Sequence, residues 1–590
     1  MANNVAIIKE AYLQDDLSAF VSNLWDTYNN QRQEKINEWM ELRNYIFATD
    51  TTKTTNAKLP WKNKTTIPKI CQIRDNLHSN YISALFPNDN WVKWIALSND
   101  SAQKNKAAVI EAYIKNKASL GHLRTAISAL LYDYIDYGNA FAWVDFESSY
   151  KTLSNGLKEP KYIGPVVRRI SPLDIVFNPK SDSFKESHKI IRTVKTVGEL
   201  LKLAKTSPDN KFWETAMMER ETKRNLYGGY RKEDWSKAVG YDVDGFGSYY
   251  EYLQSGFVEV LEFYGDYYNP ATQELMEDCV ITVIDRNKVV RNIQIPNWEG
   301  VAQIHHVGWR HRQDNLWHMG PLDNLVGMQY RIDHLENLKA DAADLAIHPP
   351  LVVAGEVEEF EWGPSAEIHI DENGSITELG MNLNSIIVAD NQIQRLQETM
   401  EVMAGAPREA MGMRTPGEKT ALEVSTLNSA AGRIFQEKIT HFEIELLEPV
   451  LNSCLETSIR NMVTYDVIMV LDKDYGVRDF MTITKEDITA KGILRPIGAR
   501  HFSKEAQDLQ NLVGLANSNL WSHVTPHVSG IELSKFISDA TNLKGYDIFK
   551  PNIAIAEQKE TQSMVNSAQD MILQEETFRG VEWEQYGLMD

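Results

Sequence analysis

Residues 391–449 read NQIQRLQETMEVMAGAPREAMGMRTPGEKTALEVSTLNSAAGRIFQEKITHFEIELLEP. The stretch predicts a short amphipathic helix over 391–404, a Gly/Pro-punctuated loop, and a long helix from about Glu418 to Met462. Arg408, Arg414 and Lys419 stand on or beside that loop, in a chain whose formal charge is −21. Three cations between two helices serve either as a nucleotide cradle or as a device that touches a polymer. Each arginine also has a local acid to pair with, Glu409 or Glu418.

Gly412 to Thr420 comes close to the phosphate-binding pattern GxxxxGK[ST], with one residue inserted before the lysine. VIMVLD (467–472) then resembles a Walker-B strand ending in Asp472, so a P-loop packaging-type ATPase is the enzyme alternative. Three facts oppose it. Glu418 displaces Lys419 and puts a carboxylate where the cradle should be positive. Pro416 lacks an N–H in a nest that works through N–H groups. The run-in at 391–404 is helical, where a P-loop leaves a buried strand. The plainer reading is a loop broken at Gly417, with Thr415 or Thr420 and a first-turn Glu starting the next helix.

Upstream, Leu322, Leu325, Met328, Gln329, Ile332, Leu335, Leu338, Ala342 and Leu345 trace one stripe of a helix about 37 Å long, stopped by His348-Pro349-Pro350. A short β-type module is expected from Leu351 to Ile387, with turns at Trp362-Gly363-Pro364 and Glu372-Asn373-Gly374. From Leu351 to Gln394 there are nine acidic residues and no Lys or Arg. Asp333, Glu336, Asp341 and Asp344 follow helical spacing and read as a solvated face.

The rest predicts one long helix over 15–48, a polar loop, and helices at Ile70–Phe86, Ala102–Ala118 and Leu123–Tyr137, the last closed by Gly138. Strands are expected at 141–146, within 160–195, and at 258–268, 279–292 and 304–311, with a hairpin turn at 285–288. Residues 467–472 and 478–484 pair as a further hairpin, and the chain from Ser503 on is mostly helical. Residues 205–250 carry no readable pattern. The class is α+β, and 590 residues demand several domains or layers.

Composition excludes several classes. Cys71, Cys279 and Cys454 form no CxxC pair and no disulfide framework, which suits a reducing compartment of synthesis. The N-terminus lacks signal-peptide architecture, and no run of 18 or more apolar residues offers a membrane span. The acidic balance argues against gripping nucleic acid over a broad basic face, yet suits a surface that DNA slides past. His305, His306, His311 and His318 gather around one strand without a carboxylate or Cys spaced to help, so they read as packing or surface histidines. No catalytic residue, metal site or cofactor is expected.

The chain resembles the portal (head-to-tail connector) proteins of tailed bacteriophages, particularly short-tailed ones. The resemblance lies in the order and spacing of WMELRNYI (39–46), LPWKNKTTIPKICQIRDNLHSNYISALFP (59–87), GPVVRRISPLDIVFNP (164–179), the whole of 320–353, RTPGEKTALEVSTLNSAAGRIFQEKITHFEIELLEPVLN (414–452) and 483–512. It implies a ring, usually of twelve subunits, at one capsid vertex of the virion, made in the host cytoplasm. Genomic double-stranded DNA is packaged and ejected through it, and the protein is not an enzyme. The implied partners are the major capsid protein, the large terminase subunit and then a tail adaptor, with no membrane.

By the matching segments, the portal fold assigns an α/β wing to 1–319 and 418–500, stem helices to 320–348 and 389–404, a clip to 349–388, a tunnel loop to 405–417 and a helical crown to 501–590. Arg408, Arg414 and Lys419 would then touch DNA. Glu356, Glu358, Glu359, Glu361, Glu367, Asp371 and Glu372 would face terminase or adaptor. Leu325, Met328, Ile332 and Leu335 would pack the stem against neighbouring subunits. This chain departs from the longest portals in its short crown. A tail adaptor or capsid scaffold that never meets DNA is the other alternative.

Overall fold

The computed structural model describes residues 11–47, 63–86, 91–97, 106–152, 158–206, 257–269, 273–284, 286, 288–295, 302–347, 351–354, 375–378, 384–405, 434–462, 465–471 and 478–498, with isolated positions 512 and 533. Two compact units divide the chain, 1–86 with 90–470 and 480–499, and 87–89 with 471–479 and 500–590. The first holds nearly all the described residues and is mixed helix and sheet.

Helices α1 (Ala11–Gln31) and α2 (Gln33–Phe47) replace the single helix expected over 15–48. The break is at Arg32. Its guanidinium donates to the carbonyls of Pro172 (2.5 Å), Leu173 (2.7 Å) and Ile175 (2.5 Å) and lies between the rings of Trp25 and Trp317. A charged hydrogen-bond set of this kind outweighs one helical turn of backbone regularity.

Then follow α3 (Lys69–Leu85), β1 (Val92–Ala96), α4 (Ala107–Leu120) and α5 (Leu123–Asp136). Gly138 ends this helical run at φ +66°, with its Cα so near Gly320 that a Cβ would lie 2.3 Å from the Gly320 nitrogen. Only glycine meets both demands.

Strands β2 (Asn139–Thr152) and β3 (Lys158–Ile170) form a long hairpin. A five-stranded antiparallel sheet is built from β4 (Ile175–Phe177), β5 (Lys189–Thr196), β6 (Phe257–Asn269), β7 (Glu274–Ile284) and β8 (Lys288–Gln294), in that order, with α6 (Val197–Thr206) after β5. Leu17, Val21 and Trp25, each one turn apart, lay α1 on this sheet against Leu261, Phe263, Ile281 and Val283. On a second cluster, Phe177 stacks on Trp317 at 4.5 Å, and Trp39 meets Tyr137 edge-on at 5.2 Å.

Strand β9 (Ile304–Gly308) joins the free edge of β2, and β10 (Arg310–Arg312) pairs with β11 (Asn315–Met319). Helix α7 (Val326–Ile347) leads to β12 (Leu351–Ala354), β13 (Ser375–Glu378) and α8 (Asn384–Met403). The long helix expected to Met462 is seen from 434, with a π turn at Glu443–Leu447 and then α9 (Glu448–Asn461). Strands β14 (Tyr465–Leu471) and β15 (Arg478–Thr484) make the expected hairpin. After α10 (Lys485–Ile488), β16 (Gly492–Pro496) pairs with β1, Val92 opposite Pro496. The largest core cluster joins α3, α5, α7, α8, the 434–461 helix and this β1–β16 pair.

Candidate assembly site

Helices α7 and α8 form an antiparallel pair capped by a hairpin. Leu351 stands opposite Glu378 and Ala354 opposite Ser375, so β12 and β13 close the far end. Lys339 bridges to Asp390 at 2.9 Å and to Glu336 at 2.7 Å, tying the middle of α7 to the start of α8. At about 1.5 Å per residue, the 22 residues of α7 run about 33 Å.

The base of the pair is held by a polar ladder. Gln329, Asp333, Asn337 and Asp341 lie one turn apart on α7, and an extended strap, residues 63–67, runs along them. Asp341 Oδ1 accepts from the backbone N–H (3.0 Å) and the amide (2.8 Å) of Asn63. Asn337 Oδ1 accepts from the Thr65 N–H at 2.9 Å, and its Nδ2 donates to the Thr65 carbonyl at 2.9 Å. Asp333 Oδ1 accepts from the Ile67 N–H at 3.1 Å, while Gln329 Nε2 donates to the Ile67 carbonyl at 2.5 Å. The fit is geometric, since two strand residues span about 6.7 Å and four helix residues about 6.0 Å.

Gln329, Asp333 and Asn337 are fully buried. Asp333 carries a carboxyl pushed up to about 7 by burial, which the Ile67 N–H and the Gln329 amide only partly offset. Its Oδ2 has no hydrogen-bond partner. The acidic spacing read as a solvated face is thus corrected at Asp333, which is buried and clamps the Ile67 N–H, whereas Glu336 and Asp341 are half-buried and Asp344 is exposed. Asp344 also accepts from Asn63 Nδ2, at 3.1 Å.

Where the strap becomes α3, Lys69 reaches the other helix of the pair. Its Nζ lies 2.6 Å from Glu401 on α8, and both side chains are buried. Strap and α3 therefore fasten both helices to the body of the unit.

Leu325 and Ile332 are fully buried, Leu335 nearly so, and Met328 packs against the same cluster. Leu325, Ile332 and Leu335 belong to the chain's own core with such residues as Ile393 and Met400, and Met328 lies partly buried against it. The cover of the three buried residues is thus the chain itself, where the resemblance implies neighbouring subunits. The apolar surface left over lies further out: Leu338, Leu345, Ile347 (72% exposed), Val352, Val353, Ile387 (60%) and Val388 (60%). Helix α8 also begins earlier than expected, at Asn384 within the stretch read as clip. The β-branched run Ile386-Ile387-Val388, which suggests strand, is helical.

Arg408, Arg414 and Lys419 lie outside the described residues, as do Glu356, Glu358, Glu359, Glu361, Glu367, Asp371, Glu372, Asp472 and the crown. The three cysteines are free thiols, Cys279 and Cys454 buried. Among the described residues no three His, Cys, Asp or Glu form a group able to hold a metal ion, and no helix is long and apolar enough to cross a membrane. His441, which the sequence did not connect with the other histidines, joins them from the 434–442 helix. No protein-family model matches this sequence, and no curated protein matches it.

Proposed function

We propose that this chain is a structural subunit of a portal-type ring, a DNA conduit without catalytic activity of its own. The observation that carries the reading is the antiparallel pair α7–α8. Its base is clamped into the chain's own core, and its outer half exposes Leu345, Ile347, Val352, Val353, Ile387 and Val388. A projecting helix pair with an unburied apolar outer half is stabilised by packing against copies of itself side by side. In the portal resemblance this pair is the stem. The acidic stretch between β12 and β13 then meets a basic packaging or tail partner, and electrostatic complementarity favours the encounter. Helix α8 also stands where a phosphate loop requires a buried strand, which counts against the nucleotide reading.

Electron microscopy and mass measurement of the purified chain test this. A closed ring with a central hole and no ATP hydrolysis supports it. A monomer with saturable hydrolysis lost on Lys419→Ala overturns it in favour of the ATPase.

A further inference from the structure

Four imidazoles run in a chain from the interior to the surface. His306 stacks on His318 (5.5 Å between ring centres), His318 meets His311 (4.6 Å), and His311 meets His441 (4.6 Å). The hairpin β10–β11 carries His311 and His318, and the 434–442 helix carries His441. Between them opens a cleft of about 1290 Å³, lined by His305, His311, His318 and His441 among others.

The two inner rings are committed to neutral tautomers. Asn139 donates its amide to the carbonyls of Tyr137 and His318, so its Oδ1 accepts from His306 Nε2 at 3.1 Å. His318 Nδ1 accepts from the Arg312 N–H at 3.2 Å. Burial first, then neighbouring cations and imidazoles, holds His318 down at about 4 and His306 well below its usual range. His311 and His441 make up the outer pair.

That pair is in direct contact: His311 Nε2 and His441 Nε2 are 2.7 Å apart. We propose that His311 and His441 form an acid-released latch, holding hairpin β10–β11 on the 434–442 helix at neutral pH and freeing it when both rings are protonated, which opens the cleft. The step balances by proton count. With no added proton, one Nε2–H donates to a bare Nε2. With one, the donor is an imidazolium and the bridge is strengthened. With two, both facing nitrogens carry hydrogens, no acceptor remains, and like charges oppose at contact.

The surrounding charges set the window. From the hairpin, Arg312 acts on the inner His318, and Arg310 lies over the Trp309 ring. Lys438 on the helix opposes a proton on His441, while Glu445 and Glu437 favour it. Lys180, Asp182 and Lys185 line the same cleft, as do Asp314 at the hairpin turn and Glu456 on α9. For His441 the net direction is down, from burial first and His311 second. A base depressed in the folded state contributes stability that is present above its usual 6.5 and lost as pH falls below it, so release lies on the acid side of 6.5. This inference does not rest on the portal reading.

Hydrogen exchange with mass spectrometry, on the full chain in whatever assembly it forms, tests the latch. Peptides covering the hairpin and the 434–442 helix should lose protection by about tenfold or more between pH 7.5 and pH 5, after correction for intrinsic rates. His311→Gln/His441→Gln, which keeps a donor and an acceptor that do not titrate, should hold its protection at pH 5. An unchanged wild type, or a double variant that opens like wild type, overturns the latch. Should the variant misfold, histidine C2 exchange on wild type decides. Two separated protonation steps for the pair support the latch, and two independent single-step curves overturn it.

Discussion

Asn337 treats Thr65 as one strand treats another. Its side-chain amide accepts from the Thr65 N–H and donates to the Thr65 carbonyl, both at 2.9 Å, across 272 residues of sequence. Asn337→Ala removes the buried partner of both backbone groups of the exposed Thr65. The expected cost is about 1–2 kcal/mol, because water can reach Thr65 once the amide is gone, read as a lower urea midpoint and faster proteolysis before α3. Asn337→Gln lengthens the arm without removing its chemistry and should recover only part of the loss.

The neighbouring rung predicts a pH dependence. Asp333 has its folded value raised from 3.8 to about 7, so the folded state keeps a proton that the unfolded chain releases. Its contribution is complete below 3.8 and is eroded as pH rises towards 7 and beyond. Asp333→Asn mimics the protonated acid. Urea titrations should find the variant close to wild type at pH 4.5 and more stable than wild type at pH 8. A variant equally or less stable at pH 8 would contradict a buried neutral Asp333.

Lys69 and Glu401 are a buried ion pair 2.6 Å apart. Lys69→Met alone removes this cation from a buried carboxylate and should cost about 3 kcal/mol, whereas Lys69→Met/Glu401→Leu should recover most of that loss. A double-mutant cycle on chemical unfolding measures both.

Inner and outer residues of the helix pair should separate folding from assembly. Ile332→Ala opens a cavity in the chain's own core and should destabilise the subunit by about 2–5 kcal/mol. Ile387→Asp/Val388→Asp touches only exposed positions and should leave the unfolding midpoint of the isolated subunit unchanged while abolishing the ring. Mass photometry at micromolar concentration reads the second effect. A ring that persists with both aspartates moves the interface elsewhere.

The stripe from Leu322 to Leu345, the strands between 258 and 311 and the hairpin at 467–484 are legible because each obeys a local period. What the sequence hides is partnership. Asp333 looks solvated until residues 63–67 arrive from far upstream. Arg32 is an unremarkable helix former until three carbonyls of the 172–175 turn close on it. His441 stands 130 residues from His311, and no spacing rule joins them. Leu325 and Ile332 show the apolar face of α7 in the sequence, but an apolar stripe says that something covers it without saying what, and here the chain's own core does.

The strap and α7 also have unequal pitches, and the difference acts as a vernier. Each step gains about 0.7 Å of offset between the extended chain and the helix, so the two steps from Asn63 to Ile67 accumulate about 1.4 Å. The row cannot be prolonged: by Gln329 the register has drifted, and that side chain reaches both the carbonyl of Ile67 and the N–H of Ile70 as the strap winds into α3. Sliding the strap by one residue would aim side chains where backbone amides now point. The match is therefore unique, and it locates α7 lengthwise as a key locates a bolt.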